Sequence, residues 1–164
     1  MPPTQAGYCG GMSEPHPNTQ LIRDFHDCQN HFYAGGDQEP VRAMLTENVI
    51  WHVPGASVIA GDYQGRDEVL RYFARRRELA DATFRIGVRG VLADNERTVI
   101  LAGGEVEHDG ETFAWGTVGI FRVAEDRIAE CWVVPYDQNA FDEIWSELGS
   151  RDMSDDDEDN EEQD

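Results

Sequence analysis

The chain has 164 residues, 40% of them hydrophobic, and a formal net charge of -20 at pH 7. This length and hydrophobic share are enough for one domain with its own core and require no second domain. The acidic balance opposes binding to a phosphate backbone, so we expect no nucleic-acid partner. No hydrophobic run approaches the length that spans a bilayer, and we therefore expect no membrane partner.

The two ends of the chain differ in composition from the middle. Residues 1–17 are rich in proline and glycine and lack the apolar stretch of a secretory signal, which predicts a disordered N-terminal extension. Residues 150–164 carry a run of acidic side chains that has almost nothing to bury, which predicts a disordered acidic tail. Its simplest role is solubility, and contact with a basic partner is the alternative. Residues 18–149 then form the folded domain.

The cysteines and histidines indicate neither a disulfide framework nor a metal site. Cys9, Cys28 and Cys131 are odd in number and lack the spacing of metal-binding pairs. His26 and His31 are five residues apart on a predicted helix, about 500° of rotation, so they face different directions. We expect no metal or other cofactor, and a reducing, cytoplasmic location.

The first half of the chain predicts helices around a short strand pair. A first helix begins near Pro17, carries apolar residues at helical spacing, and ends at a pair of glycines. Pro40 suits the opening turn of a short second helix. Residues 49–53 favour a strand that Pro54 breaks, and residues 57–60 are predicted to form a brief second strand.

A third helix is predicted to open at Gly65. Its first turn contains Asp67 and Glu68, and its last turn contains three arginines at 75–77. Acids at the start and bases at the end match the helix dipole. We interpret the arginines as dipole partners and not as a binding patch.

Residues 83–134 predict four sequential antiparallel strands separated by tight turns. The turns are marked by residues 94–95, 109–110 and 125–126, of which Asp-Gly at 109–110 is a strong hairpin signal. Several glycines inside these strands favour a strongly curved sheet whose concave face is covered by helices. A last helix is predicted over residues 139–148.

His52 is the first candidate for chemistry. It lies in the apolar strand at 49–53, so its imidazole is expected to be held rigidly, and a fixed imidazole can transfer protons near neutral pH. The alternative is a core histidine whose ring nitrogens are satisfied by hydrogen bonds.

Six short motifs of the chain together resemble one family. They are Gly35–Asp37, Asn48–Gly55, Gly61–Glu68, Phe121–Val123, Ile128–Trp132 and Asp137–Asp142. Through them the chain is similar to the SnoaL-like group of the NTF2-like superfamily, related to ketosteroid isomerases, over residues 18–149. The resemblance implies an α+β fold, the NTF2-like cone, in which a curved antiparallel sheet wraps around helices and encloses a pocket.

Comparison with ketosteroid isomerases places His52 where those enzymes have an aspartate base. Gly119 stands where they have an acid that binds the oxyanion, and Gln29 stands near their tyrosine on the first helix. Neither the base nor the oxyanion pair matches, so the resemblance does not imply steroid isomerisation by that mechanism.

The resemblance also predicts which side chains line the pocket. Alternate residues of one strand are expected on its concave face, together with one cysteine of the next strand, a tyrosine near the opening and a glutamine on the first helix. These residues are Phe113, Trp115, Thr117, Phe121, Cys131, Tyr63 and Gln29. Trp132 then faces outward, and Glu105 would be a second cavity carboxylate if it faced inward.

Three functions are compatible with this pattern. The first is a cofactor-independent isomerase, cyclase or dehydratase that acts on a small apolar metabolite, with His52 as general acid and base. The second is a binding protein that uses the same cavity without chemistry. The third is a dimerising scaffold. A homodimer through the outer face of the sheet is expected from the family and from the outward position of Trp132.

Overall fold

The computed structural model describes residues 15–158, with side chains as far as Ser150. This part of the chain folds into four helices and six strands. The helices are α1 (Pro17–Tyr33), α2 (Glu39–Ala43), α3 (Arg66–Leu79) and α4 (Gln138–Glu158). The strands are β1 (Leu45–Val53), β2 (Gly61–Gln64), β3 (Arg85–Ala93), β4 (Arg97–His108), β5 (Glu111–Ala124) and β6 (Arg127–Pro135). None of the described helices is long and apolar enough to cross a membrane.

The helices begin where the sequence predicts. Pro17 occupies the first turn of α1, and His16 caps it: its Nδ1 accepts a hydrogen bond of 3.1 Å from the backbone N–H of Asn18. Gly65 caps α3 with a φ of 90°, which a residue with a side chain rarely adopts. Asp67 lies in the first turn of α3, near the positive end of the helix dipole.

All six strands form one sheet in the order β2-β1-β6-β5-β4-β3. Every neighbouring pair is antiparallel except β1 and β6, which run parallel. The four-strand meander predicted for the second half of the chain is therefore confirmed. The brief strand predicted at residues 57–60 is wrong, because β2 pairs with β1 from Val53 opposite Gly61, and the seven residues between them form the connection.

Two of the predicted hairpin turns have the backbone that tight turns require. Asp109 and Gly110 have φ values of 51° and 78°, and Glu125 and Asp126 have φ values of 54° and 58°. Positive φ at both central residues twists the chain to match the twist of the flanking strands.

Glycines explain the curvature of the sheet. Gly87, Gly103 and Gly116 are register partners across β3, β4 and β5, so these three positions add no side chain of their own to the convex face. A shift in register between Val88 and Gly90 adds a further bend. On the concave side, Gly104 lies directly beneath the indole of Trp115, its register partner on β5. The resulting concave face is covered by α1, α3 and α4.

The core lies between the helices and this concave face. At its centre the ring of Trp51 on β1 lies 5.0 Å from Phe73 on α3 and 5.9 Å from Phe121 on β5, measured between centroids. Phe25 on α1 lies 5.9 Å from the same indole. These four buried rings join two helices to two strands, and burial of such apolar surface is the main force that holds the layers together.

The last helix is longer than the sequence predicts. It continues past Leu148 to Glu158, into the segment expected to begin a disordered tail. Its only glycine, Gly149, is buried against Val58. The helix therefore continues past this glycine, which makes a packing contact and does not end the helix. Residues 1–14 and 159–164, which hold most of the predicted extension and the end of the tail, lie outside the described residues.

Gly104→Ala should destabilise the protein by about 1–3 kcal/mol, because the new methyl group would displace an aromatic ring from its packed position. A Cβ at this position would lie 2.4 Å from two ring carbons of Trp115. Gly87→Ala is the matched control, since no atom lies within 4 Å of its Cβ position. Urea unfolding measures the free energy of unfolding of both variants. A Gly104→Ala variant within about 0.5 kcal/mol of the control would contradict this packing.

Candidate functional site

The concave side of the sheet encloses a cavity of about 50 Å³, which we call the concave cavity. Its wall is mostly aromatic and aliphatic and contains no aspartate or glutamate. The side chains with hydrogen-bonding groups on this wall are His26, Gln29, Trp51, Arg76, Thr117 and Cys131. A cavity of this size holds a few water molecules or a small organic group.

His26 presents a neutral imidazole to the cavity. It lies on the buried side of α1, and its Nδ1 is 2.8 Å from the carbonyl oxygen of Ile22, to which it donates. Burial lowers the pKa of His26 to about 4, with a smaller contribution from the positive charge of Arg76. Nε2 has no hydrogen-bond partner within the described residues, so its lone pair is free to accept a proton.

Arg76 is joined to α1 through a buried tyrosine. Its Nη2 donates a hydrogen bond to the hydroxyl of Tyr33, which also accepts one of 3.1 Å from Nε2 of Gln29. Burial raises the pKa of Tyr33 to about 12, so this hydroxyl stays protonated. Because its oxygen already accepts two bonds, its own O–H is left to donate.

Aromatic rings fill most of the remaining space. Trp115 stacks on Phe84 at 5.6 Å with an angle of 12° between the rings, and lies 5.6 Å from Trp145 and 5.9 Å from Phe141. Such rings set a flat, apolar boundary to the cavity.

The structure places most of the predicted pocket residues on the cavity wall. Those that line it are Gln29, Trp115, Thr117, Phe121 and Cys131. Phe113 packs against the core but is not part of the wall. Tyr63 lies elsewhere, stacked on Tyr72 at 4.5 Å with its hydroxyl donating to the carbonyl of Ile59. Glu105 is exposed between two buried neighbours and faces outward.

The expectation that His52 faces the cavity is wrong. Trp51 and Val53 take the concave side of β1, so alternation along the strand turns His52 to the convex side. Its ring stacks on Trp132, with centroids 5.3 Å apart and 17° between the planes. Trp132 therefore faces outward, as predicted.

His52 belongs to a cluster of side chains on the convex face, which we call the convex cluster. Its other members are Asp62, Arg122, Glu130 and Trp132. Nδ1 of His52 lies 2.8 Å from Asp62 and Nε2 lies 2.7 Å from Glu130. Nε of Arg122 donates to the other oxygen of Glu130 at 3.3 Å. Burial alone would lower the pKa of His52, but the hydrogen bonds and charges of the two carboxylates outweigh it and raise that pKa. Both ring nitrogens are thus engaged by protein groups.

Cys131 and Gly119 also have clear structural roles. Burial raises the pKa of the Cys131 thiol well above its usual value, so it is not an activated nucleophile. A Cβ on Gly119 would lie 2.8 Å from the Phe121 ring and 2.9 Å from Ile100. The space that an acid would need at position 119 is therefore occupied by these two side chains.

Two cavity residues, His26 and Arg76, were missed by the sequence analysis. His26 follows Ile22 by four residues and so falls on the apolar stripe of α1. Arg76 follows Tyr72 by four and Phe73 by three, on the buried side of α3. Helical spacing could have found both, but their polar character argued against burial. Within the part of the chain that the structure describes, no three His, Cys, Asp or Glu side chains lie close enough together to hold a metal ion.

Solved structures share this architecture. The chain is similar to Bal32a from a soil-derived mobile gene cassette, with 28% identity, a TM-score of 0.72, and coverage of 78% of this chain and 95% of that one. A protein of unknown function with a cystatin-like fold from Xanthomonas campestris has 21% identity, a TM-score of 0.68 and coverage of 77% and 96%. An NTF2-like protein from Burkholderia xenovorans LB400 has 20% identity, a TM-score of 0.62 and coverage of 78% and 95%.

A search of curated protein sequences finds no significant match. The family model for the SnoaL-like domain matches residues 22–131, which is more than half of the chain and extends from α1 into β6. The chain shares the fold of NTF2-like proteins, and the family match shows that it belongs to the SnoaL-like domain family.

Proposed function

We propose that the protein is a cofactor-independent acid–base enzyme that acts on a small molecule in the concave cavity. His26, in place of His52, exchanges a proton with that molecule. The observation that carries the proposal is the unpartnered Nε2 of a neutral imidazole on the cavity wall. His52 is a weaker candidate because both of its ring nitrogens contact carboxylates outside the cavity.

The surroundings of His26 suit proton transfer. The hydrogen bond from Nδ1 to the Ile22 carbonyl fixes the tautomer, so Nε2 is the nitrogen that accepts. Arg76 lies on the same cavity wall as a donor, and a donor of this kind stabilises negative charge that develops on an oxygen. Removal of a proton next to a carbonyl produces such charge, which favours an isomerase or lyase.

A binding protein without chemistry is the second candidate. Two features favour it: the cavity is small, at about 50 Å³, and much of its wall is packed aromatic surface. In that function His26 only accepts a hydrogen bond from the ligand.

We also propose a homodimer through the convex face. Leu101, Val118 and Val134 are register partners across β4, β5 and β6 on that face, and Leu101 and Val134 are 46% and 44% exposed. The convex cluster lies beside this row, so an apolar surface with a charged border is available to a second copy.

The expected cytoplasmic location and the absence of nucleic-acid and membrane partners stay proposals. They are supported by the net charge of -20 and by the free thiols of Cys28 and Cys131 among the described residues.

If His26 is the proton acceptor, the protein should accelerate deuterium uptake next to the carbonyl of 2-oxobutanoate or butanone in D2O. His26→Gln should slow this uptake by about 100-fold or more, the usual contribution of a positioned base. His31→Gln is the matched control, because His31 is exposed on the same helix. Proton NMR measures the uptake. Wild-type uptake no faster than in buffer, for a compound that binds, would identify a binding protein instead.

The buried neutral state of His26 should also make stability depend on pH. The folded-state pKa of about 4 lies below the ordinary value of 6.5, so the unfolded chain takes up the proton first and stability falls as pH drops through this range. Between about pH 7.5 and about pH 5.5 the wild type should lose about 1 kcal/mol more stability than His26→Gln. Urea unfolding at both pH values measures the difference. Equal losses would show that His26 is not buried in its neutral form.

Leu101→Glu should convert the dimer to a monomer, because it places a charge in the apolar row of the convex face. Ala34→Glu is the control, since Ala34 is exposed at the end of α1, away from the convex face. Light scattering after size-exclusion chromatography measures the mass of each variant. A monomeric wild type at micromolar concentration would refute the dimer.

A further inference from the structure

Arg76 is a buried cation without a carboxylate partner. Its side chain is only 6% exposed, and no aspartate or glutamate forms an ion pair with it in the described part of the chain. Other arginines here do have such partners, as Arg42 has Asp67 at 3.0 Å and Arg122 has Glu130 at 3.3 Å. The chain contains 33 acidic residues, yet none of those whose side chains are described lines the concave cavity.

Aromatic rings surround the guanidinium group instead. Its central carbon lies 4.3 Å from the ring centroid of Tyr72, 4.9 Å from Phe84 and 5.2 Å from Tyr33. Cation–π contacts of this kind stabilise a buried charge but do not neutralise it. The positive charge therefore stays available to an anion that enters the cavity.

Hydrogen-bonding groups around the cavity lack partners as well. Nε of Arg76 and Nε1 of Trp51 are buried donors, and Oε1 of Gln29 is a buried acceptor, and none of the three has a hydrogen-bond partner within the described residues. All three residues line the cavity wall. Buried polar groups in folded proteins are nearly always satisfied, so the two unpaired donors at this cavity indicate a bound molecule that accepts hydrogen bonds from them.

We propose that Arg76 is the anion-binding residue of the concave cavity and that the ligand is a small, planar monocarboxylic acid. A carboxylate offers two oxygens to buried donors, and arginine is the side chain that best matches its geometry. The flat rings of Trp115 and Phe84 border the cavity and suit a planar carbon skeleton. The volume of about 50 Å³ limits the ligand to a few heavy atoms.

This inference rests on the proposed function only where it concerns proton transfer, because anion binding can be measured whether or not the protein is an enzyme. The two are connected through His26, which lies on the same wall. A carboxylate held by Arg76 places negative charge near the imidazole and favours its protonated form. The ligand itself would then move the base toward the neutral range in which proton transfer is efficient.

The test compares crotonate with crotonamide, two planar molecules of nearly equal size of which only the first is charged. Isothermal titration of the full chain should give a dissociation constant for crotonate at least about tenfold lower than for crotonamide. Arg76→Met should remove this preference, and Arg76→Lys should keep part of it. Arg77→Met is the matched control, because Arg77 lies on the same helix but stacks on Phe32, and it should bind as the wild type does.

The proposal is overturned if the wild type binds both molecules equally or neither up to about 50 mM. It is also overturned if folded Arg76→Met binds crotonate as tightly as the wild type, or if Arg77→Met loses the preference. The wild-type comparison stands even if Arg76→Met does not fold. His26→Gln should still prefer crotonate. Loss of deuterium exchange without loss of that preference therefore separates failure of the proposed chemistry from failure of the anion site.

Discussion

Burying the Arg76 guanidinium in a cavity without a carboxylate costs free energy that the surrounding rings only partly offset. The rest of the site follows from this constraint. The Tyr33 hydroxyl accepts hydrogen bonds from Arg76 and from Gln29. The positive charge of Arg76 also helps to keep His26 unprotonated. An apolar residue of similar size at position 76 would pack well among the same rings. An unpaired charge at such a position is best explained by a ligand.

The curved sheet separates two histidines into opposite electrostatic environments. His26 lies on the concave side, where burial lowers its pKa. His52 lies on the convex side between Asp62 and Glu130, and its pKa is raised. In our proposals the first is the proton acceptor of the concave cavity, and the second borders the surface offered to a second copy. The proposed ligand binding and the proposed self-association would then use different faces of the same sheet.

Much of this architecture follows from the sequence by simple rules. Helical spacing and turn residues predict the order of the elements, and alternation along β5 puts Trp115 and Phe121 on the cavity wall. The same alternation, from Val49 to Val53 through Trp51, identifies the buried side of β1 and turns His52 outward. The expectation for His52 followed the position of a catalytic residue in related enzymes, and alternation is the stronger physical constraint.

The two polar residues of the cavity are harder to predict because spacing and residue type disagree. The helical pattern of α3 favours burial of Arg76, whereas the cost of burying a charge argues against it. Only the fold shows that four aromatic rings, contributed by α1, α3 and the segment before β3, meet around the guanidinium group. Such a meeting of distant segments cannot be read from local periodicity.

A crystal structure of the protein grown with crotonate tests the central claim most directly. The account predicts density for crotonate inside the concave cavity, with a carboxylate oxygen about 3 Å from Nε of Arg76. The aromatic rings should keep their positions or open slightly around the ligand. An empty concave cavity, with crotonate bound at Arg122 in the convex cluster, would contradict the account.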